Sequence, residues 1–565
     1  MYTSQTLAQV PALDAAALRV AREAQETHGR IDSVAAHLGF SNADEALQAV
    51  GSTLGLDVVD LSCVEVDLSL LESFPAKLIH RFSVFPLRTE NDSVVVATGN
   101  PFDLHAIDAV SAASGLSIVQ VLASPDEVAK LIKTHLGVGA ETIDGLMAQN
   151  VEDTGDVEVL EEIEWDTSEA SEMAQEASVV RLVNEILAEA VEGRASDIHL
   201  ESQANGMKIR YRIDGILQTQ PIPPELNRFQ AAIISRLKIM AKMNIAEKRI
   251  PQDGRIKLRI SGREVDIRVS MIPMLHGEGV VMRVLDKDRM NFSLRGIGMD
   301  EDIYEQFGGL ISLPHGIVLV TGPTGSGKTT TLYSALSEIK DEDTKIITTE
   351  DPIEYQLEGI NQIQVHSKVG LTFAASLRAI LRHDPDVVLV GEIRDFETAE
   401  NAIQASLTGH LVFSTLHTND AASAYMRLVD MGVEPFLVSS TVEGIMAQRL
   451  VRTLCKECCE KYEPHHEDLP ADFPMDELKN NGGKLHRPVG CRACRTTGYA
   501  GRIGLYELLT ANDEIRQLAT ERKSSTILKR AAMKAGMQTL RQNGWRKVLS
   551  GKTSVDEALR VTKVD

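Results

Sequence analysis

Gly316-Ile-Val-Leu-Val-Thr-Gly-Pro-Thr-Gly-Ser-Gly-Lys-Thr329 decides the fold of the second half of the chain. Its first six residues are uncharged and rich in branched side chains, as a strand buried on both faces requires. The next eight, Gly322 to Thr329, read G-x-x-x-x-G-K-[ST], and Thr330 to Ile339 continues as a helix. In that strand–loop–helix setting the glycines let backbone N–H groups converge on phosphate oxygens, aided by the positive end of the helix. The expected ATP-binding residues are therefore Gly322, Pro323, Thr324, Gly325, Ser326, Gly327, Lys328, Thr329 and Thr330. Lys328 is expected to neutralise the β- and γ-phosphates, and the Thr329 hydroxyl to complete a Mg²⁺ shell.

A phosphate loop alone does not separate a kinase from a motor, so the acidic residues around it carry the next step. Asp386-Val-Val-Leu-Val-Gly-Glu392 reads as a second buried strand, with Glu392 expected beside the tip of the first strand to hold the Mg²⁺ water shell. Lys345-Ile-Ile-Thr-Thr-Glu-Asp-Pro-Ile-Glu354 reads as a third strand running into an acidic turn. Glu350, at its tip, is the expected general base for an attacking water, with Glu354 the second candidate. Gly409-His-Leu-Val-Phe-Ser-Thr-Leu-His417 reads as a fourth strand bracketed by His410 and His417, which are expected to sense the γ-phosphate.

The chain has 565 residues, too many for one core, and 43% hydrophobic with 25% charged residues is the balance of a globular protein. A net charge of −23 repels phosphate backbones, and no basic stretch is interleaved with aromatics, so a DNA-handling ATPase is disfavoured. No apolar run approaches the ~20 residues that span a bilayer. The first residues show no basic segment leading into an apolar one, so a cytosolic protein reaching a membrane only through partners is expected.

Along the chain, residues 1–60 read as a helical segment, with Ser41-Asn-Ala-Asp44 as a capping box, and 61–138 as an α/β adaptor. Within the adaptor, Val94-Val-Val-Ala97 is a buried strand, Gly99-Asn-Pro101 a turn and 107–113 a helix. Residues 139–177 hold no Lys or Arg and many carboxylates, the composition of an extended acidic linker. A second α/β unit is expected over 178–290, where Lys208–Arg212 and Glu264–Val269 alternate as strands carrying arginines on one face. The motor core follows over 291–450, then a cysteine-bearing insert over 451–500 and a helical region over 501–565. Cys455-Lys-Glu-Cys458 and Cys491-Arg-Ala-Cys494 are two C-x-x-C knuckles, and together they make a Cys₄ site for Zn²⁺. Cys459 is a spare thiol that could compete as a ligand. A redox pair is the rival reading, but it leaves the second knuckle without a purpose.

The phosphate loop, the acidic box Thr349–Glu354, the run Gly391-Glu-Ile-Arg-Asp395 and the histidine box together resemble the GspE/PulE/PilB family of secretion ATPases. The resemblance is close from about Ser178 onward and looser over Leu61–Leu136. It implies an α/β fold: a RecA-like P-loop ATPase core preceded by a PAS-like half-motor domain, the acidic linker and the N-terminal adaptor. It further implies ATP hydrolysis with Mg²⁺, a structural Zn²⁺ and a homohexameric ring. Arg210, Arg255, Arg268 and Arg283 match the half-motor and, by the resemblance, reach the nucleotide as arginine fingers do. The implied partners are the cytoplasmic domain of a GspL-like inner-membrane protein and a GspF-like platform protein, with the chain held peripherally at the inner membrane.

Pro314–Val320, Glu350–Tyr355, Met431–Phe436 and Gly544–Val548 are more similar to the type II secretion branch, and the pilus-retraction branch lacks the cysteine insert. The expected function is a motor for pseudopilus assembly in type II secretion, with a PilB-like pilus-extension motor as the alternative. Some members bind cyclic di-GMP through an Arg-Leu-Gly motif, but Ala36-His-Leu-Gly39 lacks the arginine in that place.

Overall fold

The computed structural model describes residues 13–28, 38–40, 43–61, 64, 66–74, 76–90, 93–136, 157–160, 177–286, 292–491 and 493–563. Two units divide between Asp286 and Lys287. Ala36, His37, Ser41 and Asn42, on which the dinucleotide motif and the capping box depend, lie outside the described residues.

The first unit holds two sheets. Val84–Glu90, Ser93–Thr98 and Ser117–Leu122 form the smaller one, antiparallel then parallel, with Val94-Val-Val-Ala97 on the buried central strand. The larger sheet is antiparallel throughout, in the order Val157–Val159, Gln252–Ile260, Arg263–Met274, Gly277–Asp286, Ala195–Gln203, Gly206–Ile213, Ile216–Thr219. Asp214 and Gly215 both take positive φ (49° and 87°), as the tight turn between its last two strands demands. Alternation gives this sheet one apolar face, where Ile198, Tyr211, Ile256, Ile267 and Met282 pack under the helices Ala177–Glu192 and Gln230–Met240. Most of the acidic linker lies outside the described residues. Val157–Val159, however, pairs with Leu258–Ile260 as an edge strand rather than running free, because Val-Glu-Val alternates and finds open backbone groups there.

The second unit is a seven-stranded sheet ordered Asn361–Gln364, Ile346–Glu350, Val387–Val390, Leu411–Leu416, Gly316–Thr321, Val442–Leu454, Tyr499–Thr510. The first six run parallel, so their C-terminal ends share one edge. Ile317 and Leu319 feed one core and Val318 and Val320 the other, so every residue of Gly316–Thr321 is buried. Each such apolar side chain contributes about 1.5–3 kcal/mol by burial. The structure differs from expectation at 501–510. That stretch is no helix but part of the strand Tyr499–Thr510, antiparallel to Val442–Leu454, because Leu505–Leu509 is a continuous buried run. Helices follow at Asp513–Thr520, Ser525–Lys534, Leu540–Leu549 and Val555–Val561.

Candidate functional site

The phosphate loop leaves the buried edge of Thr321 and enters the helix Lys328–Ile339, two residues earlier than the sequence pattern indicates. Gly322 (φ 153°) could carry no Cβ, which would lie 2.6 Å from the Gln448 carbonyl oxygen. Gly327 (φ 90°) would meet the Gln448 amide at 2.8 Å. The loop therefore lies flush against the neighbouring strand, with its backbone free to face a ligand. Lys328 Nζ donates to the carbonyl oxygens of Gly322 (2.8 Å) and Pro323 (3.2 Å). Burial pushes Lys328 down to about 8, against the attraction of Glu392 and helped by the repulsion of Arg449. The buried Ser326 Oγ has no hydrogen-bond partner among the described residues. A depressed lysine and an orphaned hydroxyl in a cradle of N–H groups fit a bound anion such as a nucleotide phosphate.

Glu392 sits just beyond Val387–Val390, and this strand is not adjacent to Gly316–Thr321: Leu411–Leu416 runs between them. The reach is made through His417, whose Nε2 lies 3.3 Å from Glu392 Oε2. Arg394 forms an ion pair with the same carboxylate, and that hydrogen bond raises the guanidinium above its ordinary value. Thr418 is locked to the base of the loop, its N–H and hydroxyl each 2.8 Å from Thr321 Oγ1.

Two expectations change. His410 precedes the strand whose far end carries His417, and its backbone carbonyl accepts from Gly316 N at 3.2 Å. Six strand residues separate the two histidines, seven steps or about 23 Å at about 3.3 Å each. The His410 ring contacts Thr408 Oγ1 and the Ala405 carbonyl, at the edge away from the phosphate loop, so it cannot sense a γ-phosphate bound there. Glu350 is at the strand tip as expected, but it is 4% exposed. Tyr333, Thr348 (2.6 Å) and Gln362 (3.0 Å) all donate to its carboxylate. A carboxylate so enclosed has no room for an attacking water, which argues against Glu350 as the base. Glu354, beyond the cis Asp351–Pro352 peptide, is partly exposed.

Arg449 and Gln448 escaped the sequence reading. Gln448, 1% exposed, accepts from Thr331 Oγ1 at 2.8 Å and so braces the phosphate-loop helix. Arg449 donates to Asn419 Oδ1 (3.0 Å), and burial lowers its guanidinium. The available signal was a polar pair inside the apolar strand Val442–Leu454 that flanks the loop.

In the first unit, register sets Arg255 opposite Arg268 and Arg268 opposite Arg283, a row of three on the polar face of the large sheet. Arg210 shares that face two residues from Arg212, which lies opposite Asp197, itself opposite Arg283. Arg210 pairs with Glu201, Arg255 with Asp266 and Arg283 with Asp197. The four cysteines converge: Cys455 and Cys491 sulfurs are 3.8 Å apart, Cys458 and Cys494 3.7 Å, and all four lie within 4.8 Å of one another. Tetrahedral Zn–S bonds of ~2.3 Å give S···S edges of about 3.8 Å, so the residues fit zinc. Backbone N–H groups of Gly490 (to Cys458) and of Cys491 and Gly498 (to Cys494) approach the sulfurs within 3.3 Å, as they do around bound thiolates. Among the described residues no helix is long and apolar enough to cross a membrane.

Known proteins are similar to this chain over most of its length. A family model described as type II/IV secretion system protein matches residues 172–560, and one described as MshEN domain matches residues 54–142. Type II secretion system protein E of Xanthomonas campestris is 44% identical over 538 residues, 93% of this chain and 92% of its own length. Type II secretion system ATPase E of Vibrio cholerae is 50% identical over 69% of this chain and 77% of its own. The type IV pilus assembly ATPase PilB of Myxococcus xanthus is 40% identical over 97% and 96%. In fold, the X-ray structure of the Yersinia pseudotuberculosis ATPase DotB covers 73% of this chain and 99% of its own at a TM-score of 0.50 and 20% identity. The chain belongs to the type II/IV secretion system protein family and is a secretion ATPase.

Proposed function

We propose that the chain is the cytoplasmic motor of a type II secretion system, working as a homohexameric ring at the inner membrane. The observation that carries the reading is the convergence of Lys328, Glu392 and His417 at one edge of a parallel sheet, on a chain so similar to type II secretion proteins along nearly its whole length. The pilus-assembly relative is less identical at comparable coverage, which favours the secretion branch.

Thr329 and, through water, Glu392 would hold Mg²⁺, which would supply charge neutralisation of the phosphates. Lys328 leaves its own loop carbonyls to pair with the β- and γ-phosphates, and Ser326 gains the partner it lacks. Glu354 takes the proton of the attacking water, while enclosed Glu350 holds the acidic turn to the phosphate-loop helix through Tyr333. His417 orients Glu392. The row Arg255, Arg268, Arg283, with Arg210, supplies guanidinium groups to the nucleotide. The Arg255 and Arg283 side chains stay about half exposed beside their acidic partners, which leaves guanidinium surface for a phosphate. Cys455, Cys458, Cys491 and Cys494 would hold Zn²⁺, which would tie down the insert.

Hydrolysis would drive a GspF-like platform protein, with the N-terminal adaptor docked on a GspL-like cytoplasmic domain. Capture of the intact chain from its own cells tests this. Secretion-type inner-membrane proteins should co-purify; a pilus-type set in their place would overturn the assignment.

A further inference from the structure

Glu507 is the most deeply buried carboxylate at the catalytic edge of the second unit, 1% exposed, and the steps above do not use it. It stands opposite Ala447, which stands opposite Thr321, which stands opposite Leu416, so a single row across four strands joins it to the base of the phosphate loop. Its two oxygens serve two helix starts. Oε1 accepts from the Ala421 N–H at 2.9 Å, and Oε2 from the Leu540 N–H at 3.2 Å. Ala421 is the N-cap of the helix Ala422–Asp430 and has no capping side chain, so Glu507 satisfies an amide the helix itself cannot. Leu540 opens the helix Leu540–Leu549. Burial holds the Glu507 carboxyl above the usual carboxylate range, with Asp420 adding to the rise and the Ala421 and Leu540 N–H groups and Lys529 opposing it.

What Ala421 terminates gives the contact its consequence. The segment from His417 to Asp420 carries the Glu392 partner His417, the Thr321 partner Thr418 and the Arg449 partner Asn419. Its near end is fixed by the strand Leu411–Leu416 and its far end by Glu507. The helix on the other oxygen is anchored where the second unit begins: Asn543 donates to Asp300 at 3.0 Å, and Lys547 to the Gly298 carbonyl at 2.8 Å and to Asp300.

We infer that Glu507 is a positioning residue for hydrolysis, clamping the His417–Asn419 segment to the helix Leu540–Leu549 so that a shift of that helix reaches His417. The inference rests on the nucleotide site assigned above. Glu507→Gln keeps the shape but turns an amide NH₂ toward one of the two backbone donors. Ala421→Pro removes the Ala421 donor at a φ of −70° that proline adopts, and adds ring carbons at a buried position.

In the full-length chain, each variant should lower kcat about tenfold to a hundredfold, the scale of a misplaced catalytic group, with the Kd for ADP within about twofold of the parent. Hydrogen exchange should accelerate at 417–420 and 422 in Ala421→Pro, and in Glu507→Gln at whichever of 417–422 and 540–542 faces the new NH₂. The double variant should lose no more than the worse single one, since each breaks the same clamp. An unchanged kcat, additive losses, or a kcat loss matched by weaker ADP binding would each overturn the role. A parent whose turnover survives Lys328→Ala would instead remove the underlying site, so the two failures are distinguishable.

Discussion

Raising the pH should weaken nucleotide binding through Lys328 alone. Burial brings its ammonium down from 10.5 to about 8, with Arg449 adding to the fall and Glu392 opposing it. Bound phosphates favour the charged form, so the complex titrates higher than the free protein. Affinity is then complete below the free value and is lost as pH rises from it toward the higher bound value, with a proton taken up on binding. From about pH 7 to about pH 9 the protonated fraction of the free lysine falls from roughly nine-tenths to one-tenth, so the Kd for ADP·Mg²⁺ should rise about tenfold. A lysine at its ordinary value would leave Kd flat across that window. Isothermal titration in buffers of different ionisation enthalpy reads both Kd and proton uptake, and ADP is suitable because its phosphates stay ionised throughout. Glu392→Gln, which removes the opposing charge, should move the midpoint lower still. A pH-independent Kd with no proton uptake would refute the reasoning.

Other consequences can be checked one at a time. Serine at Cys455 and Cys458 should eject zinc and lower the melting temperature, measured by elemental analysis and calorimetry; wild-type protein that is stable yet zinc-free would count against the Cys₄ site. Alanine at His410 should leave kcat within about twofold, while alanine at His417 lowers it about tenfold or more, because only the second reaches Glu392. Glutamine at Glu350 should cost about 1–3 kcal/mol of stability by turning an NH₂ toward Tyr333, Thr348 or Gln362. The same change at Glu354 should instead abolish turnover at unchanged stability, as steady-state kinetics and denaturant melts would show.

The parallel core was legible because Gly316–Thr321 and Val387–Val390 are apolar runs that end in functional residues. The knuckles were legible because C-x-x-C spacing reflects ligand geometry within a single turn. What escaped depends on order and direction across the sheet. Nothing in Gly409–His417 says which end faces the phosphate loop; the parallel pairing Gly316↔Leu411 decides it and separates the histidines. Likewise, Glu350 reads as an exposed tip until Tyr333, from a helix, and Gln362, from an edge strand, are seen to close over it. Gln448, Arg449 and Glu507 were missed for a related reason. They are polar residues on strands whose role is set by sheet order: Val442–Leu454 lies beside Gly316–Thr321, more than a hundred residues earlier in the chain, and Tyr499–Thr510 lies beside Val442–Leu454. At 501–510 the pattern of the helices that follow hides the strand Tyr499–Thr510.

The most direct test of the account is ATP turnover by the full-length chain carrying Lys328→Ala, beside the parent and with the melting temperature of both recorded. The account predicts that turnover disappears while the fold survives. Hydrolysis persisting at more than about a tenth of the parental rate would mean that Gly322–Thr329 is not the catalytic phosphate loop.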